Sequence, residues 1–378
     1  MVGFDLARSK RLHEAVRRFI GEASSAGDGG KNSRYGGDKR FDELAIELAR
    51  HQYESGTGVQ RLYAYQGLSP DQLKDAWQIP GIPCDAFKLT RVACHPESLD
   101  EVVFLTSGTT LGARGKHALR DTQTYRLGAK AWGKRMLYPD TDRLHWIILA
   151  PRYDLQPESS LGFMLADFAA HTGATTTWGV VDGQIDMAAV QEAWGEASKD
   201  SLPTIIAGAS FAFVHLLDAC ERCGLRSLGL GRAGRVMLTG GLKGKSREVD
   251  ARELREQLAD LFELAPGRIV SEYGMTELGS QAYDDVLAGG PSGVYKTPPW
   301  MRVRAVNAES LEPLGDAIGV EGLARIEDLT NVDSAVAIQT SDRIRIVLGG
   351  VELLGRQPGA DARGCSIGID ELLQGRGG

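Results

Sequence analysis

The sequence predicts an α/β protein, with a helix-flanked, mostly parallel sheet and a smaller β-rich subdomain. Three observations lead to this prediction. Short apolar runs rich in β-forming residues alternate with helical segments through the middle of the chain, which is typical of a parallel sheet covered by helices. After Tyr283 the runs shorten and are broken by glycine and proline, which favours antiparallel pairing. The 378 residues, 42% of them hydrophobic, are enough to bury a large core.

The elements follow in order from hydrophobic periodicity. Helices are expected up to residue 100, clearest over 4–20 and 41–55, with a Gly- and Ser-rich surface loop between them. Central strands are predicted at 102–105, 145–149, 204–207, 235–238 and 268–270. Central helices are predicted at 121–137, 158–172, 210–223 and 245–263. Later strands are predicted at 301–305, 322–327, 335–340 and 343–347. The resulting regions are an N-terminal helical region, an α/β core, a β-rich subdomain and a short C-terminal segment, over 1–100, 101–285, 286–350 and 351–378.

Composition excludes several classes of function. The net charge is −7 and no long basic run is present, so a nucleic-acid partner is not expected. The N-terminus lacks the apolar core of a secretory signal, and no apolar stretch reaches the length of a membrane span. A cytoplasmic protein without a membrane span is therefore expected. The 5 cysteines, an odd number in a large chain, favour reduced thiols. Cys220 and Cys223 have CxxC spacing, which leaves structural packing and a redox or metal role open.

The loop after the predicted 102–105 strand has the composition of a phosphate site. Residues 106–116 read TSGTTLGARGK, which offers hydroxyls and glycine backbone N–H groups to an anion, with Lys116 adding positive charge. It is not a Walker A loop, because Thr110 stands where that pattern has its first glycine and His117 follows the lysine. A glycine-rich turn without a ligand is the alternative.

Two later segments narrow the class of phosphate site. Residues 271–277 read SEYGMTE, and residues 340–343 read TSDR with Gly355-Arg356 beyond. In this order and spacing, the three segments resemble the motifs of the adenylate-forming superfamily of acyl and aryl acid ligases. The resemblance implies the fold of that superfamily's N-terminal domain. Since only residues 357–378 follow Arg356, the chain is expected to lack the large mobile C-terminal domain of the bigger ligases, which supplies a lysine for adenylation.

The resemblance also implies ATP and Mg²⁺ as cofactors and assigns site residues. Glu277 would help to hold Mg²⁺, Tyr273 would stack on adenine and Thr276 would touch the α-phosphate. Asp342 would accept hydrogen bonds from the ribose, although an aspartate before a strand can also merely cap a turn. The remaining implied nucleotide contacts are Thr106, Ser107, Gly108, Thr109, Thr110, Lys116, Gly274 and Arg356.

The end of the chain adds a candidate nucleophile. Residues 363–372 read RGCSIGIDEL, and with SFAFV at 210–214 and TGGLKGK at 239–245 they closely resemble the acyl-protein synthetase family, the LuxE type of bacterial bioluminescence operons. That resemblance implies activation of a carboxylic acid, by default a fatty acid, as acyl-AMP. The acyl group would then pass to Cys365 as a thioester, and onward to a partner protein such as a reductase or carrier protein. The neighbouring Arg363 would favour the Cys365 thiolate. Cys365, Thr276 and Lys116 are the candidate catalytic residues.

Two other functions stay open. One is a ligase that hands its adenylate directly to coenzyme A or to a carrier-protein thiol, as the phenylacetate-CoA ligase branch does. The other is an inactive nucleotide-binding module. Some residue roles also stay open. Lys243 and Lys245 are either solvated or replace the adenylation lysine. His117, His145 and His215 are interpreted as core histidines. An acyl pocket or plain core fits Leu161, Phe163, Met164, Phe211 and Phe213.

Overall fold

A computed structural model describes residues 3–25, 38–106, 114–240 and 250–357. Its α-helices are α1 (Leu6–Ser25), α2 (Lys39–Ser55), α3 (Thr57–Tyr65), α4 (Ala86–Leu89), α5 (Gln123–Met136), α6 (Ser160–Thr172), α7 (Met187–Ala197), α8 (Ser210–Arg222) and α9 (Ala251–Phe262). Its first strands are β1 (Ile82–Pro83), β2 (Val102–Leu105), β3 (Lys116–Leu119), β4 (Leu144–Leu149), β5 (Gly173–Trp178), β6 (Val180–Val181), β7 (Gln184–Ile185) and β8 (Thr204–Ala209). The later strands are β9 (Arg235–Thr239), β10 (Ile269–Tyr273), β11 (Ala282–Asp284), β12 (Val294–Lys296), β13 (Met301–Val306), β14 (Glu321–Asp328), β15 (Ala337–Val347) and β16 (Gly350–Arg356).

Most strands join one sheet of 12, in the order β13-β14-β15-β16-β12-β11-β10-β9-β8-β4-β5 with β1 added beside β15. The half from β10 to β5 is parallel. The other half is antiparallel apart from β1, which runs parallel to β15. The two halves meet where β10 pairs antiparallel with β11. The parallel and antiparallel regions that the sequence predicts are therefore parts of one continuous sheet.

The apolar content of the central strands explains why they form the parallel half. Every residue of β4, β8 and β9 is buried, as expected for strands covered by helices on both faces. Side-chain caps fix where several helices begin, because they satisfy backbone N–H groups that the first turn leaves unpaired. Asp38 accepts from Arg40 and Phe41 at the start of α2, and Asp250 accepts from Arg252 and Glu253 at the start of α9.

The apolar residues form two cores. The larger one lies between the parallel strands and the helices and includes Trp146, Phe168 and Ile206. The smaller one covers one face of the antiparallel strands and includes Val303, Ile326 and Ile344. In β13 and β14 the opposite face carries buried arginines and the buried Glu327, and one of these arginines, Arg302, pairs with Asp42 at 2.8 Å.

Several predicted elements differ from the structure. The run 102–105 was expected in the parallel sheet, but it pairs antiparallel with β3 in a separate two-stranded sheet. The runs 335–340 and 343–347 form the single strand β15. The strand β5, with sequence GATTTW, and the helix α7 were not predicted. The first hundred residues contain the strand β1 as well as helices.

Candidate active site

The neck of the 106–116 loop is closed by hydrogen bonds at the ends of β2 and β3. The Thr106 backbone N–H donates to the Gly115 carbonyl at 2.9 Å, and the Gly115 N–H donates to Thr106 Oγ1 at 2.7 Å. Arg114 Nε donates to the Thr106 carbonyl at 2.7 Å. A Cβ at Gly115 would lie 3.0 Å from Thr106 Cγ2, so this position favours glycine. Lys116 begins β3 and is exposed.

Four predicted contacts of this loop, Ser107, Gly108, Thr109 and Thr110, lie outside the described residues, as does Cys365.

The 271–277 segment contains the carboxyl end of β10 and the residues that follow it, and β10 lies beside β9 in the parallel half. Ligands bind at this edge in open α/β sheets. Thr276 and Glu277 are 2% and 4% exposed. Their backbone is held from both sides, because the Thr276 carbonyl lies 2.7 Å from His117 Nδ1 and the Glu277 carbonyl accepts from Asn331 Nδ2 at 2.9 Å. The segment is therefore anchored to β3 and to residues 329–336, the connection between β14 and β15.

Tyr273, Asp342 and Arg356 form a cluster, although the sequence separates them widely. The Tyr273 hydroxyl donates to Asp342 Oδ2 at 2.8 Å, and Arg356 Nε donates to Asp342 Oδ1 at 3.0 Å. Asp342 and Arg356 are register partners on β15 and β16. Burial, and then the neighbouring Asp342 carboxylate, raise the pKa of Tyr273 well above its ordinary value. Three of the predicted site residues thus lie together.

Glu272 is a functional candidate that the sequence did not single out. Its side chain is buried at the carboxyl end of β10, where Thr239 Oγ1 of β9 donates to its Oε2 atom. Burial raises the pKa of Glu272 to about 7, and the bond from Thr239 opposes this shift. A Cβ at Gly274 would lie 2.3 Å from Glu272 Oε1, so Gly274 leaves room for this carboxyl group. The glutamate directly before the Tyr-Gly pair was the available signal.

A second unpredicted group is centred on Asp333 in the 329–336 connection. Ser9 Oγ donates to its Oδ1 at 2.7 Å, His13 Nε2 and His51 Nε2 lie 3.1 and 3.0 Å from its oxygens, and Arg120 Nε donates to it at 2.9 Å. Burial opposes ionisation, but the hydrogen bonds from His13 and His51 outweigh it and hold the pKa of Asp333 well below its usual range. The group ties α1 and α2 to the connection that contacts the 271–277 segment.

The remaining sequence candidates are distributed as follows. His117 is 1% exposed and both its ring nitrogens have hydrogen-bonding partners. The five residues for which the sequence left an acyl pocket or plain core open all belong to the larger core: Leu161, Phe163, Met164, Phe211 and Phe213. Cys220 is buried and Cys223 is exposed. Within the described ranges, no group of three or more His, Cys, Asp or Glu residues could hold a metal ion. None of the helices described here is long and apolar enough to cross a membrane.

Comparison with known proteins gives structural matches only. No protein-family model matches the sequence, and a comparison with curated proteins finds no match. An open conformation of 2-hydroxyisobutyryl-CoA ligase in complex with 2-HIB-AMP and CoA matches with a TM-score of 0.63 at 11% identity, over 88% of this chain and 80% of the ligase chain. The postadenylation state of that ligase with R3-HIB-AMP matches with a TM-score of 0.62 at 11% identity, over 86% and 71% of the two chains. The predicted α/β fold class is confirmed, since the chain shares the fold of this ligase.

Proposed function

We propose that the protein activates a carboxylic acid with ATP, forming an acyl-adenylate, and then transfers the acyl group to Cys365 and onward to a partner protein. One observation carries the adenylation step. Two contacts support it: His117, two residues after Gly115, lies 2.7 Å from the Thr276 carbonyl oxygen, and the Tyr273 hydroxyl lies 2.8 Å from Asp342. A nucleotide could therefore reach all three motifs at once.

Different site residues would contact the phosphates, the ribose and the adenine of the nucleotide. The neck at Thr106 and Gly115 holds the loop whose hydroxyls and N–H groups would bind phosphate oxygens, and the exposed Lys116 would neutralise charge at the β/γ end. Asp342 would accept hydrogen bonds from the ribose, with Tyr273 beside the adenine. Arg356, already paired with Asp342, would hold that carboxylate in its orientation.

The described carboxylates fit Mg²⁺ as a phosphate-bound ion. Mg²⁺ commonly binds through one or two carboxylates and the substrate phosphates, and needs no all-protein cage. Glu277 could supply one such carboxylate, and the described residues provide no cluster of three ligands. When bound, the ion would neutralise charge on the phosphates. Glu277 and Thr276 are held by their backbone carbonyls, so their side chains would be oriented before the nucleotide arrives.

The chemistry has two balanced steps. In the first, a carboxylate oxygen of the acid attacks the α-phosphorus of ATP, a P–O bond forms, and the bond to the β-phosphate breaks to release pyrophosphate. In the second, the Cys365 thiolate attacks the acyl carbonyl, a C–S bond forms, and the C–O bond to AMP breaks. The thiol must lose its proton first, since the thiolate is the nucleophile, and Arg363 would favour that loss. The thioester keeps the acyl group reactive toward a partner's thiol or a reductase.

Chain length is compatible with Cys365 reaching the site. Arg356, on β16, pairs with Asp342 inside the cluster, and Cys365 follows it by nine residues in the sequence. An extended chain covers about 3.3–3.6 Å per residue, so nine residues span at most about 32 Å. The thiol could therefore meet an adenylate bound between Thr106 and Asp342.

Direct transfer to coenzyme A or a carrier-protein thiol is the second candidate. The ligase with a TM-score of 0.63 was crystallised with both 2-HIB-AMP and CoA, and this observation supports the second candidate. Both candidates share the adenylation step and differ only in the nucleophile.

Incubation with ATP, Mg²⁺ and a panel of radiolabelled acids, from short hydroxy acids to long fatty acids, tests the proposal. Acid-dependent pyrophosphate release is expected, with label that stays on the protein, is discharged by hydroxylamine and disappears in Cys365→Ser. Cys223→Ser, which changes an exposed cysteine directly after α8, is the matched control and should keep the label. Purified reductase or carrier protein would then be added to follow transfer of the label.

The other outcomes are equally distinct. Pyrophosphate release without protein label, together with acyl-CoA formed on addition of coenzyme A, would establish direct transfer and exclude the Cys365 step. No pyrophosphate release with any acid, despite ATP binding, would leave a nucleotide-binding module.

A further inference from the structure

His117 connects three segments of the candidate active site. It is the second residue of β3, directly opposite Phe104 of β2, and it follows the loop neck at Gly115 by two residues. Its Nδ1 atom lies 2.7 Å from the Thr276 carbonyl oxygen, and its Nε2 atom lies 2.9 Å from Ser334 Oγ. The ring is 1% exposed and meets the Phe87 ring edge-on, with centroids 5.6 Å apart.

The partners fix the tautomer of the ring. A carbonyl oxygen can only accept, so Nδ1 must carry the hydrogen that bonds to Thr276. In the neutral ring, Nε2 is then an acceptor and receives the Ser334 hydroxyl hydrogen. Burial, opposed by the bond to Thr276, lowers the pKa of His117 to about 4, so the neutral form is retained at neutral pH. The ring therefore acts as a fixed bridge with one donor and one acceptor.

The far end of this bridge is also rigid. Ser334 follows Asp333, whose carboxylate contacts His13 of α1 and His51 of α2. The Thr276 carbonyl is thus tied through His117 both to the phosphate-loop neck and to the N-terminal helices. A 1 Å displacement of a reacting group can cost about 100-fold in rate, so the length of such a bridge matters for chemistry.

We propose that His117 is a positioning residue, which sets the separation between the phosphate-loop neck, at Thr106 and Gly115, and the Thr276–Glu277 segment during adenylate formation. This inference rests on the proposed function. The ring touches neither phosphate nor acid in this role. It acts through the Thr276 carbonyl, and the bond that matters is Nδ1–H to that oxygen.

Two substitutions at His117 separate positioning from packing. In His117→Asn, the side-chain amide can place an N–H close to the position of Nδ1, so the bond to Thr276 can be kept while the contact with Ser334 is lost. His117→Phe keeps an aromatic ring against Phe87 and removes both bonds. A positioning role predicts that Asn retains more activity than Phe. A packing role predicts the reverse, since the apolar ring fits the buried site better.

Acid-dependent ATP–pyrophosphate exchange is the main measurement. We expect kcat to fall about 100-fold in His117→Phe and to lie within about tenfold of wild type in His117→Asn, with KM for ATP changing less than threefold in both. Ser334→Ala should lower kcat by less than about tenfold, because it leaves the Thr276 bond in place. Equal kcat in the Asn and Phe variants, or a higher kcat in Phe, would overturn the proposal.

His145→Phe is the matched control for loss of a buried histidine. His145 is 4% exposed, and its ring nitrogens lie 2.8 Å from Thr175 Oγ1 and 3.0 Å from Asp200 Oδ1, partners remote in the chain from the candidate site motifs. His145→Phe should lose about as much stability as His117→Phe, while its folded fraction should catalyse ATP–pyrophosphate exchange at the wild-type rate. Nitrogen-15 NMR of the wild-type histidines gives a test that needs no variant to fold. If Nε2 of His117, and not Nδ1, carries the hydrogen, the proposed hydrogen bond to the Thr276 carbonyl is contradicted.

Failure of the proposed function has a different signature. If wild-type protein exchanges no label with any acid, adenylation is wrong. The bridge is then still tested by the nitrogen-15 measurement on the wild-type protein, where a hydrogen on Nε2 and none on Nδ1 of His117 would overturn it as well.

Discussion

The Tyr273 hydroxyl donates to Asp342 Oδ2 at 2.8 Å across 69 positions of sequence. The other oxygen of the same carboxylate accepts from Arg356 Nε at 3.0 Å. Asp342 is therefore held from two sides, by β10 and by β16, and both of its oxygens already have a donor. A ribose hydroxyl bound at Asp342 would share these oxygens, which is possible because each carboxylate oxygen has two lone pairs.

Asp342→Ala is expected to weaken ATP binding by at least about tenfold, since it removes the carboxylate that is proposed to accept from the ribose and leaves Tyr273 and Arg356 without their common partner. Tyr273→Phe removes one donor and keeps the carboxylate, so it should cost about 1.5–3 kcal/mol of unfolding free energy but change ATP affinity only a few-fold. Calorimetric titration with ATP and Mg²⁺ measures the affinity of both variants, and urea unfolding measures the stability of Tyr273→Phe. Wild-type affinity in Asp342→Ala would show that this aspartate only orders the strands.

Glu272 should make stability depend on pH. Its pKa is raised from 4.5 to about 7 by burial in the folded state, so the folded protein holds this proton more tightly than the unfolded chain. The stabilisation is complete below about pH 4.5 and is lost as pH rises through 7. At 1.36 kcal/mol per pKa unit, wild type should lose on the order of 3 kcal/mol relative to Glu272→Gln between pH 4.5 and 8.

Urea unfolding across that pH range measures the difference. Glu256→Gln, at a glutamate on α9 whose side chain is 63% exposed, is the control and should follow wild type. If the unfolding free energies of wild type and Glu272→Gln change in parallel with pH, the raised pKa of Glu272 is contradicted.

Asp333→Asn should be strongly destabilising at neutral pH. It replaces the carboxylate that Arg120 and His13 contact at 2.9 and 3.1 Å, and breaking a buried charge pair typically costs about 3–5 kcal/mol. The folded pKa of Asp333 is lowered from 3.8, so its contribution is present above about pH 4 and is lost on acidification. Asp142→Asn, at a side chain that is 90% exposed, should leave the urea midpoint unchanged. A similarly small change in Asp333→Asn would mean that the network contributes little.

Gly274→Ala should impair the 271–277 segment. The new Cβ would lie 2.3 Å from Glu272 Oε1, and the buried glutamate is held in place by Thr239, so either the backbone or the carboxyl group must move. We expect a loss of adenylation of tenfold or more, following the displacement argument for reacting groups. Gly195→Ala on α7 meets no atom within 4 Å and should stabilise the helix by up to about 1 kcal/mol. Pyrophosphate exchange and thermal unfolding of both variants decide the point.

The sequence predicted the strands whose apolar runs are buried on both faces and missed those whose environment is mixed. β4 reads LHWIIL and is fully buried, whereas the neighbouring β5 reads GATTTW and is largely accessible, so only pairing with β4 reveals it as a strand. Strand 102–105 was predicted correctly but placed in the wrong sheet, because an apolar run does not determine its partner.

The candidate site shows the same division. Local motifs identified Tyr273, Asp342 and Arg356, whose proximity is set by β10, β15 and β16. Asp333 could not be found in this way, since its hydrogen bond from Ser9 spans 324 positions. No local pattern marks a contact that only the tertiary fold creates.

The position of β16 constrains how the molecule can be made. Although it is the last strand in the described chain, it lies inside the sheet, between β15 and β12. During synthesis, β12 and β15 each keep one edge with unpaired backbone N–H and C=O groups until residue 356 has left the ribosome. Such edges can pair with strands of other chains. Arg345 and Glu352, which face each other at 3.1 Å across β15 and β16, place charge on the strands that stay unpaired longest. Slow translation through residues 350–356, or a chain stalled before residue 350, is therefore expected to give aggregation and not a partly folded protein.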